Sequence, residues 1–385
     1  MSIFSTLKNS ISKNKLGLGS SERSVLGVDI GASAIKIVQL KEKAGKILLE
    51  TYGEIATGPY GGVAMGQAAL LTPEKMAEAL KDLFKEANVT ATRVAFAIPM
   101  RSSLLKVIEV PEFNEKQLSS IIPIEARKYI PVPITEVALD WWVIPRQEYA
   151  NEPDLEGDTS AAAEQKIEKG KKVEVLLVAI HKEMLTKYRT VVTTLGVSAE
   201  TFEVETFSSI RSILSRDIAP TAIIDLGAAT SKLAIVDYGI IKVSHTINKG
   251  GQDSTAAMAT ALGVPFEEAE KLKRQNGLVG QTAGSTPIPG GVASSALEFV
   301  FYEAQKIISD YQRRTGRVIR KLTLIGGGAL MKGVVPLAET VFDAEIHLGN
   351  PFTKTEAPAF LHEVLQEAGP EFAVAIGLAH RELSE

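Results

Sequence analysis

The stretch SVLGVDIGASAIKIVQL, residues 24–40, recurs in all but detail as TAIIDLGAATSKLAIVD, residues 221–237. Each copy is an apolar strand, an aspartate (Asp29, Asp225), a turn of small residues, a lysine and a second apolar strand, the two aspartates standing 196 residues apart. This repeat constrains the fold more than any other feature, because it predicts a duplicated α/β architecture whose halves face each other. One copy alone reads as a structural β-turn. As a pair, the turns suit a phosphate chain, which takes hydrogen bonds from backbone N–H groups that only Gly, Ala and Ser let it approach. Asp29 and Asp225 would repel phosphate directly, so Mg²⁺ acting through water is the expected mediator.

A third element strengthens that expectation. LTLIGGGALMKGVV, residues 322–335, is a buried strand running into Gly326, Gly327 and Gly328 and then a helix start, bare backbone against which a flat ring or a phosphate can lie. It is neither a Walker loop nor a GxGxxG turn, since no Lys-Ser or Lys-Thr follows and the glycine spacing differs.

Between these motifs, strand and helix signals alternate. ILLETYGEI, RVAFAIP, SLLKVIEVP and VEVLLVAI read as strands. Thr72 followed by Pro73 opens a helix, and Gly196 closes another that starts near His181. Asn114 and Gln117 have capping-box spacing, with Phe113 placed to staple onto Leu118, and Pro123 is expected to kink the helix they start. Residues 146–172 carry abundant charge and little to bury, which predicts a solvated, mobile insertion; residues 1–24 read as a flexible tail.

Composition removes several classes of function. A net charge of −4 without a long Lys/Arg run argues against nucleic acid as a partner. The absence of cysteine rules out disulfides, thiolate nucleophiles and Cys-ligated zinc, and fits a cytoplasmic address. No stretch approaches a membrane span, so membrane association is expected only peripherally or through a partner.

DIGASAIK, DLGAATSK, LIGGGALMKGV and the closing EFAVAIGLA resemble, in order, the first phosphate, second phosphate, adenosine and second connecting motifs of the actin-like ATPase superfamily, over residues 25–380. Within it, GVDIGASAIKIVQL, the segment IIPIEARKYIPVPITEVALDWWVI, and INKGGQD followed by AEKLK are similar to the PilM family of type IV pilus assembly, and more distantly to FtsA. The resemblance implies an actin-like, two-lobe α/β fold with an extra α/β subdomain inserted in the first lobe. Residues 25–101 would begin the first lobe, 102–200 form the subdomain, and 201–385 supply the second lobe and return to the first.

The same resemblance implies roles. Asp29 and Asp225 would hold the Mg²⁺ environment, with Gly31, Ala32, Ser33, Gly227, Ala228 and Thr230 on the phosphates and Lys36 by the outer ones. Gly250 and Gly251 match the turn before the second helical lobe, Glu270 and Lys273 the pair reaching adenosine and ribose, and Gly326, Gly327 and Gly328 the adenine floor. Glu270 and Lys273 read equally as a solvated helix face with i,i+3 charges. For hydrolysis, Asp29, Asp225 and Glu205 are the candidate water activators, although Glu203 and Glu205 alternate like a solvent-facing pair on a strand. None of His181, His245, His347, His362 and His380 is placed for that role, so ATP binding with slow or absent turnover is expected.

PilM-like proteins bind the cytoplasmic N-terminal segment of PilN, a single-span membrane protein, in a groove beside the extra subdomain; Tyr129, Ile130, Val132, Ile134, Trp141 and Trp142 are its candidate walls here. Other pilus assembly proteins and a homo-oligomer are further expected partners. A small-molecule kinase of the superfamily is the weaker alternative, for want of a sugar-kinase signature. An FtsA-like division role is the nearer alternative and is expected to rank below pilus assembly, because that family carries an amphipathic membrane helix after a flexible linker, whereas here GLAHRELSE comes directly after the last motif.

Overall fold

The computed structural model describes residues 23–145, 172–215, 218–278 and 291–384. The N-terminal tail through residue 22, and the charged insertion up to residue 171, lie outside the described residues.

The first repeat forms the hairpin β1 (Arg23–Ile30) and β2 (Ala34–Lys43), followed by β3 (Lys46–Ala56), helix α1 (Pro73–Glu86) and β4 (Arg93–Ile98). The chain then builds β5 (Ser103–Pro111), α2 (Glu115–Ala126), β6 (Val137–Val143) and β7 (Lys172–His181), and continues through α3 (Lys182–Leu195), β8 (Ser198–Val204) and α4 (Glu205–Ile213). The second repeat is the hairpin β9 (Thr221–Leu226) and β10 (Ser231–Asp237), followed by β11 (Ile240–Ile247), α5 (Gly251–Leu262), α6 (Phe266–Asn276), α7 (Ser295–Thr315) and β12 (Lys321–Ile325). Helix α8 (Val334–Val341), β13 (Glu345–Leu348) and the terminal α9 (Ala373–Ser384) complete it.

Duplication extends from the hairpins to whole sheets. The orders β3-β2-β1-β4-β8 and β11-β10-β9-β12-β13 match strand for strand, with three antiparallel strands followed by two parallel ones in each. The aspartates stand one residue before the ends of the central strands β1 and β9, which are buried on both faces as their apolar runs require. Residues with side chains on one face of β1 and β4 (Leu26, Val28, Phe96) pack against α1 and α3 through Leu80, Leu83, Tyr188 and Val191. In the second half Ile224, Leu233 and Leu324 pack against α7 and α8 through Phe301, Ile308 and Ala338.

Helices α4 and α9 join the halves at unusually close range. A Cβ on Gly377 would stand 1.8 Å from the Ser208 carbonyl oxygen, and one on Gly27 would stand 1.9 Å from that of Ala375. Only glycine lets β1, α9 and α4 approach this far, which fixes the angle at which the two aspartate turns face each other.

A third, antiparallel sheet of order β5-β7-β6 carries α2 over one face, through Leu118, Ile122 and Ala126, and packs its other face on the core of the first half through Leu105, Leu176 and Val178. The expected capping box opens α2: Asn114 Oδ1 accepts from the Gln117 N–H at 2.9 Å, and Gln117 Oε1 from the Asn114 N–H at 3.1 Å. The helix continues past Pro123 to Ala126. Helix α3 packs on α1 and β8 pairs in parallel with β4, so both belong to the first half by contact.

One reading from sequence fails. Glu203 and Glu205 are not a solvent-facing strand pair: β8 ends at Val204, Glu205 opens α4, and both carboxylates are buried. Partners distant in sequence explain this. Glu203 accepts from Arg211 at 2.7 Å and from Arg381 at 2.9 Å, whereas Glu205 turns toward the second hairpin.

Candidate functional site

Both hairpins hold their chemistry in the same register. Asp29 is paired across the strands with Lys36 and Asp225 with Lys232, so each turn presents a carboxylate and an ammonium side by side. Thr57, in the segment after β3, donates its hydroxyl to the Ala32 carbonyl at 2.8 Å and steadies the first turn. The turns face one cavity of about 370 Å³ lined by Asp29, Gly31, Ala32, Ser33 and Lys36 from one side and by Asp225, Gly227, Ala228, Thr230 and Lys232 from the other. Gly251, Glu270, Lys273, Gly326, Gly327 and Gly328 complete it, along with Glu205 on the floor.

Gly250 is the exception among the expected glycines, since it does not line the cavity. A Cβ there would lie 2.4 Å from the Ala228 oxygen; its bareness lets the start of α5 rest on the second turn, where the Gly251 N–H donates to Gly227 and the Gln252 N–H to Ala228, both at 2.9 Å.

Charge is unevenly shared on the floor. Lys232 Nζ donates to Asp225 Oδ2 at 3.1 Å and to Glu205 Oε2 at 3.2 Å, while Glu205 Oε1 accepts the Met100 N–H at 2.7 Å. Burial opposes the Lys232 charge, but Asp225, Glu205 and Asp29 outweigh it and hold its pKa above the ordinary lysine value. Asp29 has no such bridging ammonium; desolvation, then Glu205 and Asp225, push it up to about 7 against the pull of Lys36 and Lys232. Lys36 lies 3.7 Å from Glu54 and 3.6 Å from Glu371. Despite burial, those carboxylates with Asp29 raise its pKa.

This strain on Asp29 has a measurable consequence. Its folded pKa is raised from 3.8, so folding is increasingly opposed as pH rises from that value to about 7, and by the full amount above it. Asp29→Asn is expected to stabilise the free protein by about 1–2 kcal/mol near pH 8, allowing for solvent screening at the open cleft, and by nothing near pH 4. Urea unfolding at the two pH values checks it.

The far wall is ordered by ion pairs. Glu270 and Lys273 are not a solvated helix face: both are buried, with Lys273 Nζ 2.6 Å from Glu270 Oε2. Lys273 also donates to Thr255 Oγ1 at 2.7 Å and to the Gly251 oxygen at 3.0 Å, and Arg274 donates to Glu270 Oε1 at 2.8 Å. Burial alone would raise the Glu270 pKa; Lys273, Thr255 and Arg274 hold it below the usual carboxylate value. Opposite, Gly326 has a φ of 84°, and a Cβ there would sit 2.4 Å from Asp225 Oδ1. Above Gly327 the nearest atom to such a Cβ is Glu371 Oε2 at 3.7 Å, so this backbone lies open to the cavity.

Lys232, Glu371 and Arg274 were not picked out from sequence, yet all three line the cavity. Lys232 had a signal, because it repeats Lys36 at the same distance from its aspartate, and Glu371 opens the EFAVAIGLA motif. Among the described residues no three acidic or histidine side chains converge to hold a metal directly. Two facing carboxylates, one with its pKa lifted by burial and then by neighbouring negative charge, instead fit a hydrated divalent cation.

Of the residues expected to wall a partner groove, Tyr129, Ile130, Val132 and Ile134 lie in the segment between α2 and β6, and Trp141 and Trp142 lie on β6. Tyr129 is 40% exposed, with Lys106 Nζ 5.8 Å from its ring centre. Ile130 is buried in the core under α2, and Val132, Ile134 and Trp141 are half-buried against it. Trp142, on the other face of β6, packs toward the first half. β6 is an outer strand of its sheet.

Comparison with known proteins gives a consistent picture. The family model for type IV pilus assembly protein PilM matches residues 27–383. The structure is similar to that of the PilM-PilN type IV pilus biogenesis complex, with a TM-score of 0.75 and 24% identity over 93% of this chain and 98% of that one. Cell division protein FtsA of Pseudomonas aeruginosa is 24% identical over 369 residues, 86% of this chain and 84% of the relative. FtsA of Escherichia coli K12 is 23% identical over 233 residues; that match spans about half the length of either protein, 54% of each.

Proposed function

Since the chain belongs to the type IV pilus assembly protein PilM family and has the actin-like α/β fold, we propose that it is an ATP-binding platform protein that captures the N-terminal segment of a PilN-like membrane protein. One observation carries the nucleotide half of this reading: two registered Asp–Lys hairpins meet three consecutive glycines in one cavity. The phosphates would lie between the turns at Gly31–Ser33 and Gly227–Thr230, taking backbone N–H groups, with Lys36 beside the outer ones. The nucleoside would lie between the Glu270–Lys273 wall and Gly326–Gly328. Mg²⁺, held through water by Asp29 and Asp225, would supply charge neutralisation.

Turnover would be slow. Both oxygens of Glu205 are engaged, by the Met100 N–H and by Lys232, and Asp225 shares that lysine. Glu205 and Asp225 are therefore not free to take a proton from water, which leaves Asp29, bridged by no ammonium, as the remaining candidate base of the three.

The partner half rests on the third sheet. An extended peptide can add to an outer strand there and seat apolar side chains near Tyr129. Such a partner would bring the protein to the inner face of the membrane; no helix among the described residues is long and apolar enough to cross one. A synthetic peptide of about a dozen residues from a PilN-like N-terminus is expected to bind in calorimetry without any membrane. Tyr129→Ala should weaken it. Absence of binding with and without Mg-ATP would refute this half of the reading.

A further inference from the structure

Lys232 sits on the floor of the cleft between two carboxylates. Its Nζ bridges Asp225 Oδ2 at 3.1 Å and Glu205 Oε2 at 3.2 Å, and Asp29 lines the same cavity and adds to the pull on its charge. Lys36, its counterpart in the first repeat, is engaged instead with Glu54 and Glu371, at 3.7 and 3.6 Å. The two lysines share a register but have different partners: one faces the paired glutamates at the side, the other neutralises the floor.

A triphosphate entering the cleft would meet those three carboxylates. Without Lys232 their charge repels it unless a divalent cation intervenes, and Asp225 and Glu205 would be free to share that cation through water. With Lys232 in place, much of that neutralisation is built into the fold. We propose that Lys232 is a resident counter-cation of the nucleotide site, a positioning residue that occupies Asp225 and Glu205 and makes nucleotide binding only weakly dependent on Mg²⁺. The inference rests on the nucleotide reading of the cleft and adds to it a specific charge distribution.

The test is a titration of ATP, followed by calorimetry, in excess Mg²⁺ and again in excess EDTA, on the full chain. The wild type is expected to lose no more than about tenfold in affinity on removal of the metal, and Lys232→Met at least about 100-fold. Lys232→Arg, which keeps the charge, should restore the weak dependence. A merely structural ion pair would lower stability in Lys232→Met without widening the gap between the two conditions.

Equal metal dependence in wild type and Lys232→Met overturns the proposal. So does a wild type whose binding needs Mg²⁺ by 100-fold or more, on the same order-of-magnitude scale, a result that counts even if Lys232→Met fails to fold. A wild type that binds no ATP in either condition refutes the nucleotide reading itself, and is thereby distinguishable from failure of the role given to Lys232.

Discussion

Glu203→Ala is expected to cost about 3–5 kcal/mol of folding stability, because removing one partner of a buried ion pair leaves the others uncompensated. Glu203 lies one residue before the end of the edge strand β8, and its carboxylate receives Arg211 from α4 through both oxygens, each at 2.7 Å, Arg381 from α9 at 2.9 Å, and the Ser208 hydroxyl. It therefore ties together the helices that hold the two halves at their glycine contacts. Burial alone would raise the Glu203 pKa; Arg211 and Arg381 outweigh it and hold the carboxyl below its usual range. A carboxylate with a depressed folded pKa stabilises fully above its unfolded pKa and loses that contribution as pH falls through the folded value. The gap between wild type and Glu203→Ala in urea unfolding should accordingly be widest at neutral pH and shrink in acid. A gap that is the same at both would mean that packing, and not charge, holds this junction.

That junction also shows what could not be read from the sequence. The hairpins were legible because strand, turn and register are local: eight residues carry Asp29 to Lys36, and the same grammar carries Asp225 to Lys232. The capping box of α2 was legible for the same reason. Glu203 and Glu205 misled because alternation along a strand says which side chains share a face, not what covers that face. Arg381, the partner that buries one side of Glu203, lies 178 residues away. Likewise the i,i+3 spacing of Glu270 and Lys273 fits a solvated helix as well as a cleft wall. Thr255 on α5 and the Gly251 carbonyl, which enclose Lys273, become visible only when α5 and α6 are packed.

Gly327→Trp is expected to weaken nucleotide binding by at least about 100-fold, or about 2.8 kcal/mol, while the protein stays folded. The three glycines of the floor differ in what they tolerate. A Cβ on Gly326 would stand 2.4 Å from Asp225 Oδ1, and one on Gly328 would stand 2.8 Å from Leu226 Cβ, so bulk at either position strains the fold. Gly327 has no such neighbour, its nearest being Glu371 Oε2 at 3.7 Å, and it faces the cavity. An indole there fills the space given to the nucleoside without disturbing the sheet beneath. An unchanged melting temperature without ligand, combined with the loss of any ligand-induced rise, is the expected pattern. A variant that still binds at wild-type affinity would place the nucleotide elsewhere.

The cleft itself is tested most directly by calorimetric titration of the wild-type chain with Mg-ATP, alongside Gly327→Trp under the same conditions. Saturable one-to-one binding to the wild type, and its loss in the folded variant, is the expected result. No binding to the wild type, or equal binding to both, would contradict the assignment of a nucleotide to the space between the two aspartate turns.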